Sequence, residues 1–494
     1  MALLTAITLA AALPLVASQA VSNETVLGVY MFHRHGDRTS KSTPPANLTD
    51  LGYQEVYTSG QYYRSRYIAS NAAYKINGIN TNIVKQAQIS VSAPSDTVLQ
   101  NSATGFLQGL YPPVGPSYDT ETLRDGTVVT APMQGYQLIP VALVSAGTSS
   151  EDSGWLQGAS GCAAATVSSN NYFSSAQYLH LLNSTQSLYT GIAPVINSTF
   201  TAAQTSFKNA YTIYDYINVA EIHNSSIPSS NLITNDSFFQ LRTLADTHEW
   251  GLAYNASDNM RAVAGMTLAA QIVQYLNTTI TSKGAAKIGI QFGAYGSFAS
   301  FFGLAIPDIA TVAPELMGVA DYASALTFEM FTNVSTAVSG SSYPSADNIY
   351  VRMLFHNGTT SNSSEPTVYP LFGSRQMTLK WNDFQAGLNK FALGTTQQWC
   401  TACGNFTGTC AAYASNSSSS SPSSSGSGVT ASDKSGNGLS PGVNGVIGAM
   451  VTLAVVLGLE ALVLLVGGLR VVSKKTLAGK DGVTHVVEKG AGKA

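Results

Sequence analysis

The chain has 494 residues, enough for one large domain with appendages. Hydrophobic residues make up 45% and charged residues only 10%, with a net charge of -3 and a pI of about 6.2. A packed core is therefore within reach, and no basic field exists for nucleic acid.

In chain order, residues 1–20 come first, with the apolar run ALLTAITLAAALPLVA followed by small residues. They read as a signal peptide, with Ser18 and Ala20 suiting the cleavage site. The run VLGVYMF (26–32) reads as a buried strand, and FHRHGDRTSK follows from Phe32. His33 to Arg38 hold two histidines, two arginines and an aspartate in a charge-poor chain. In open α/β sheets, ligands bind at the carboxyl ends of strands. Arg34 and Arg38 at such a point make an anion clamp, because guanidinium forks match phosphate or carboxylate oxygens. Gly36 is expected to let backbone approach the ligand. His35, between the arginines, is expected to stay neutral and so nucleophilic toward phosphorus. His33 and His35 share a face if the strand continues and could ligate a metal. No acidic or histidine cluster supplies a third ligand, so no metal or other cofactor is expected.

The stretches 49–68 and 257–276 read as helices, the second with Ser257 as its cap. AQISVSA (87–93), KIGIQFG (287–293) and IYVRMLF (349–355) read as strands. Strands alternating with helices predict an α/β fold, a mostly parallel central sheet flanked by helices. The polar, weakly periodic stretch from about 150 to 245 reads as a smaller, mainly helical cap. At its end LADTHEW (244–250) places Asp246, His248 and Glu249 on one helix.

The four cysteines are Cys162, Cys400, Cys403 and Cys410. WCTACGNFTGTC can be read as a zinc or redox motif, but a secretory route favours two disulfides. The expected pairing is Cys403–Cys410 and Cys162–Cys400. Residues 413–443 are Ser-rich and cannot bury a core, so they read as a stalk. Residues 444–469 carry an apolar stretch from Val446 of about 24 residues, about 36 Å as a helix, enough to span a bilayer. Glu460 lies inside it, as a helix–helix contact or a tolerated protonated carboxyl. Arg470, Lys474 and Lys475 follow, which puts the 470–494 tail in the cytoplasm. The polar tail argues against a GPI signal. Thirteen N-x-S/T sequons, from Asn23 to Asn416, all precede the span. The expectation is a glycosylated type I membrane protein with its folded part, residues 21–412, outside the cell or in a vacuolar lumen.

The stretch RHGDR (34–38) resembles the RHGxRxP signature of the histidine acid phosphatase branch of the histidine phosphatase superfamily. NLTDLGYQEVYTSGQYYRSRY (47–67), SATGFLQGLYPP (102–113) and KIGIQFGAYGSFASFFGLA (287–305) are similar to further segments of that family. The likeness covers most of residues 25–410 and is nearest to fungal secreted acid phosphatase-like members. It implies a phosphoglycerate mutase-like α/β domain with a helical cap, a phosphohistidine intermediate and phosphomonoester substrates. By position, it implies His35 as nucleophile and Arg34 and Arg38 as phosphate ligands.

The chain departs from the pattern in four places. Ser40 stands for the signature's proline and Ser92 for a third phosphate-binding arginine. Tyr295 and Gly296 stand for the His-Asp pair whose aspartate protonates the leaving group, and no His-Asp pair occurs in the chain. Asp37, Asp96, His248, Glu249 and Tyr295 are the candidates for a substitute acid or pocket residue. For Asp37 the plainer expectation is a partner for Arg34 or Arg38. For Asp246, His248 and Glu249 it is a solvated helix. Three readings follow: a membrane-anchored acid phosphatase, an impaired phosphatase-like domain that binds an anionic ligand, and a structural surface protein. The last leaves RHGDR unexplained.

Overall fold

A computed structural model describes residues 24–144, 159–223, 230–335 and 338–418. The strands are β1 Thr25–Arg34, β2 Ile89–Pro94, β3 Thr120–Thr122, β4 Val128–Thr130 and β5 Ala142–Val144. They continue as β6 Ile288–Gly293, β7 Ala325–Thr332, β8 Ile349–His356, β9 Thr367–Tyr369 and β10 Leu379–Lys380. Apart from the β3–β4 hairpin they form one sheet in the order β10-β8-β7-β1-β6-β2-β5, with β9 also on β8. The strands β1, β6, β2 and β5 run parallel, while β7 and its neighbours add antiparallel pairs.

The first helices are α1 Asp50–Tyr67, α2 Thr97–Leu110 and the short α3 Pro132–Gly135. The cap follows as α4 Ala163–Asn170, α5 Ala176–Ser184, α6 Gln186–Ile196, α7 Ala210–His223 and α8 Asn235–Ala253. After it come α9 Val263–Thr281, α10 Tyr295–Ala305, α11 Ile309–Val312, α12 Trp381–Asn389 and α13 Thr396–Cys403. This is the α/β class with a helical cap that the alternating pattern predicts.

The alternation of β1 sets the two cores. Val29 and Met31 pack under α1 and α2, while Tyr30 and Phe32 pack under the cap-side helices. Burial on both faces explains why the strand reads as an unbroken apolar run. Helix α1 starts at Thr49, whose hydroxyl accepts the Gly52 amide, and α2 starts at Asp96, whose carboxylate accepts the Leu99 amide.

Two expectations are corrected and one strand is added. Ser257 does not cap the later helix: Asp258 accepts the Met260 amide and opens a 3-10 turn, and α9 begins only at Val263. The buried Arg261 in that turn donates to the Gly251 carbonyl and Ser168, which holds the chain off the helical path. The disulfides are Cys162–Cys403 and Cys400–Cys410. Cys403 ends α13 beside the loop at Gly161, where Asn405 donates to the Gly161 carbonyl, so Cys403 rather than Cys400 meets Cys162. Strand β7 was not foreseen. Glu329 interrupts its apolar run, yet all eight of its residues are buried.

Among the described residues no helix is long and apolar enough to cross a membrane. Residues 1–20, most of the stalk, the apolar stretch 446–469 and the tail lie outside the described residues.

Candidate active site

Strand β1 ends on Arg34, which is paired with Gly293 at the end of β6. The register therefore sets the RHGDR motif beside the start of α10, where Tyr295 and Gly296 stand. The loop before β7 holds the motif's backbone: the Arg34 amide donates to Ser324 and the Ala323 amide to the His35 carbonyl, both at 2.8 Å. Gly36 packs directly on Gly52 of α1, where any side chain would collide with the Gly52 carbonyl. The expected role of Gly36 is corrected accordingly: its bareness admits a helix, not a ligand.

His35 is fully buried, and its Nδ1 lies 2.7 Å from the Gly36 carbonyl. A carbonyl only accepts, so Nδ1 carries a proton, and in the neutral ring the lone pair then lies on Nε2. Arg34 donates to the Ala320 carbonyl and stacks its guanidinium 4.7 Å from the Tyr322 ring centre and 5.3 Å from that of Tyr295. Arg38, also fully buried, pairs with Asp215 of α7 at 3.0 Å. It also donates to the Thr39 carbonyl at 3.0 Å and the Tyr211 hydroxyl at 3.3 Å. Tyr211, Tyr295 and Tyr322 roof the centre. Tyr211 and Tyr295 touch at 4.8 Å, and Tyr322 lies 5.6 Å from the His35 ring. Burial first, then nearby carboxylates, push the Tyr211 and Tyr295 hydroxyls well above the usual tyrosine range, so both remain proton donors.

His33 is no partner for His35. Its ring lies 5.0 Å from both Phe106 and Phe292 in the opposite core, and Nδ1 meets the Arg34 carbonyl at 2.6 Å. Burial lowers its pKa to about 4 and keeps it neutral. Asp37 pairs not with the arginines but with His223 at the end of α7, at 2.6 Å, and with the Thr49 hydroxyl. Below it, Glu55 accepts the Asp37 amide at 2.7 Å, and burial raises its pKa to about 7. Asp96 is the cap of α2.

The helix carrying LADTHEW is not solvated on this face. Tyr295 donates its hydroxyl to Glu249 at 2.7 Å, and His248 Nδ1 meets the other Glu249 oxygen at 2.8 Å. His248 sits among Tyr172, Phe173, Tyr178 and Phe207. Asp246 accepts the Val319 amide at 2.8 Å and lies 3.5 Å from Arg242. Glu249, Tyr295 and Gly296 line one cavity of about 400 Å³. Ser92 lies within β2, beside Gln291 of β6. Ser40, in the place of the proline, donates to Asp215 at 3.2 Å.

The structure therefore gathers Arg34, His35, Arg38 and Tyr295 in one centre, with Glu249 behind Tyr295. Asp215, Tyr211 and Tyr322 belong to it too and were not singled out from sequence. The only signal in reach was an aspartate between tyrosines, YDY, within a helical pattern.

The model for the histidine phosphatase superfamily (branch 2) matches residues 45–356. The motif at 34–38 precedes that span. The phytase of Citrobacter braakii superposes with a TM-score of 0.51 at 14% identity, over 77% of this chain and 99% of that one. The apo phytase of Hafnia alvei gives 0.50 at 12% identity, over 78% and 99%. At such identities the likeness is one of fold. No curated protein matches the chain in sequence.

Proposed function

Because the chain belongs to branch 2 of the histidine phosphatase superfamily, we propose that it hydrolyses phosphomonoesters through a phosphohistidine at His35. The observation that carries this reading is the His35 tautomer: Nδ1 is bound to the Gly36 carbonyl, which directs the lone pair to Nε2. Nε2 attacks phosphorus as the ester P–O bond breaks, and water then attacks the phosphohistidine and returns Nε2 to its neutral state. Arg34 and Arg38 offset the charge on the phosphoryl oxygens. The leaving oxygen needs a proton, and the family's aspartate is replaced by Gly296. The Tyr295–Glu249 pair beside Arg34 is our assignment for that source. Tyr295 gives its hydroxyl proton to the leaving oxygen, and the water that attacks the phosphohistidine gives up the proton that returns to Tyr295 by way of Glu249. The signal peptide, sequons and apolar stretch of the sequence support a luminal or extracellular setting, anchored to a membrane.

A second reading, an anion-binding domain with little turnover, is favoured by one observation: Arg38 is already neutralised by Asp215. An assay separates the two. The full chain is tested from pH 3 to 7 on an aryl and an alkyl phosphate ester, with His35→Ala as control. Turnover of both esters, lost in the control, supports the enzyme with its own acid. Turnover of the aryl ester alone removes the Tyr295–Glu249 assignment, since an aryl oxide leaves without a proton. No His35-dependent turnover leaves the binding domain.

A further inference from the structure

Helix α7 of the cap crosses above the motif and directs Asp215 into it. One carboxylate oxygen accepts Arg38 at 3.0 Å and the Tyr322 hydroxyl at 3.4 Å. The other accepts Arg38 at 3.3 Å, the Ser40 hydroxyl at 3.2 Å and the Lys41 amide at 3.0 Å. Every partner donates, so both oxygens act purely as acceptors, as a carboxylate's do. Asp215 and Arg38 are both buried, so the pair is held largely without water.

A guanidinium fork, two hydroxyls and a backbone amide form a donor set for an oxyanion. Phosphate and carboxylate are the two groups that a guanidinium fork fits in this way. Both terminal nitrogens of Arg38 are committed, to Asp215 and to the oxygens of Thr39 and Tyr211. Asp215 is the one partner that bridges both nitrogens, so a phosphoryl group that takes the pair as a fork must take the place that Asp215 fills. The proline of the family signature would offer no hydroxyl here, whereas Ser40 adds a donor to the carboxylate's seat.

We propose that Asp215 is a specificity-determining residue, a built-in anion that competes with the substrate's phosphoryl group for Arg38. The inference rests on the phosphatase reading of this site and adds a condition to it. A phosphoryl group binds only in exchange for Asp215, so inorganic phosphate and small esters bind weakly. The displaced carboxylate stays on α7, close to the seat, and repels further negative charge. The centre therefore favours esters with a single phosphoryl group over polyphosphorylated ones.

The test compares the full wild-type chain with Asp215→Asn. Binding of inorganic phosphate is measured by calorimetry, and melting is followed with and without phosphate. KM and kcat are measured on an aryl monophosphate and on inositol hexakisphosphate. The variant is expected to bind phosphate about tenfold tighter, the scale of one charge-assisted hydrogen bond. It should melt lower than wild type without phosphate and recover when phosphate fills the seat. Its gain in kcat/KM, chiefly through KM, should be larger for the hexakisphosphate. Weaker phosphate binding in the variant overturns the proposal, because Asp215 is then only a support for Arg38. A variant that fails to fold with or without phosphate overturns it equally, since an exchangeable seat is rescued by its ligand. If neither protein hydrolyses any ester but the variant still gains phosphate affinity, the phosphatase reading falls and the competing anion stands.

Discussion

Two carboxylates among the described residues are buried against guanidinium groups, and their surroundings differ. Glu329 lies in the middle of β7, laddered on both sides by β1 and β8. It accepts Arg66 at 2.8 Å and also takes Arg352 and the Tyr67 hydroxyl. Burial alone would raise its pKa, but Arg66 and Arg352 hold it below the usual glutamate value. Asp215 meets a single arginine and hangs from a cap helix, with no backbone ladder joining it to the motif. A charge bound by two cations inside a sheet is a fixture. A charge bound by one guanidinium across two elements can be exchanged for another anion.

Breaking the fixture should have the largest effect. Arg66→Ala leaves Glu329 short of one partner, and loss of one member of a buried pair costs about 3–5 kcal/mol. Urea unfolding should show that loss, and added phosphate should not restore it. Rescue by phosphate would erase the contrast with Asp215.

The next effect concerns His33, a fixture of another kind, since burial lowers its pKa from 6.5 to about 4. Below pH 6.5 the unfolded chain takes up a proton that the folded chain refuses until about pH 4. Stability therefore falls as the pH falls through that window, by at most about 3 kcal/mol. His33→Gln should flatten that part of the stability–pH curve. An unchanged slope would show that His33 already titrates normally.

Glu249→Gln sharpens the comparison from the side of chemistry. Alkyl ester turnover should fall about 100-fold, the low end for a lost proton transfer, with aryl turnover nearly unchanged. An equal fall on both esters would make Glu249 a support for Tyr295 alone. The smallest change is Ser40→Ala, which removes one donor from the seat and should cost about 1 kcal/mol of stability in urea unfolding. A larger loss would place Ser40 among the fixtures.

What the sequence disclosed follows from contiguity. The strand β1, the clamp arginines and His35 occupy one run of residues, and apolar burial on both faces made their position readable. Asp215 and Tyr322 reach the same centre from the cap and from the loop before β7, separated from Arg38 by 177 residues or more. No local pattern announces such a meeting, and a helical Asp looks solvated until its partner is known. Glu329 hid β7 for a related reason: a charge in an apolar run signals solvent unless arginines from other elements neutralise it. The cysteines showed that two bridges form, but pairing depends on which end of α13 faces Gly161.

The Cys162–Cys403 bridge has a bearing on what a protease cut does to the chain. It joins residues 241 apart, spanning the cap helices α4 to α8 and the strands β6 to β10. A single cut anywhere inside that span yields two polypeptides that stay covalently joined. Nicked molecules would migrate as intact chains until the bridge is reduced, and where the cut falls before Tyr295 the motif on one piece and Tyr295 on the other would remain in one particle.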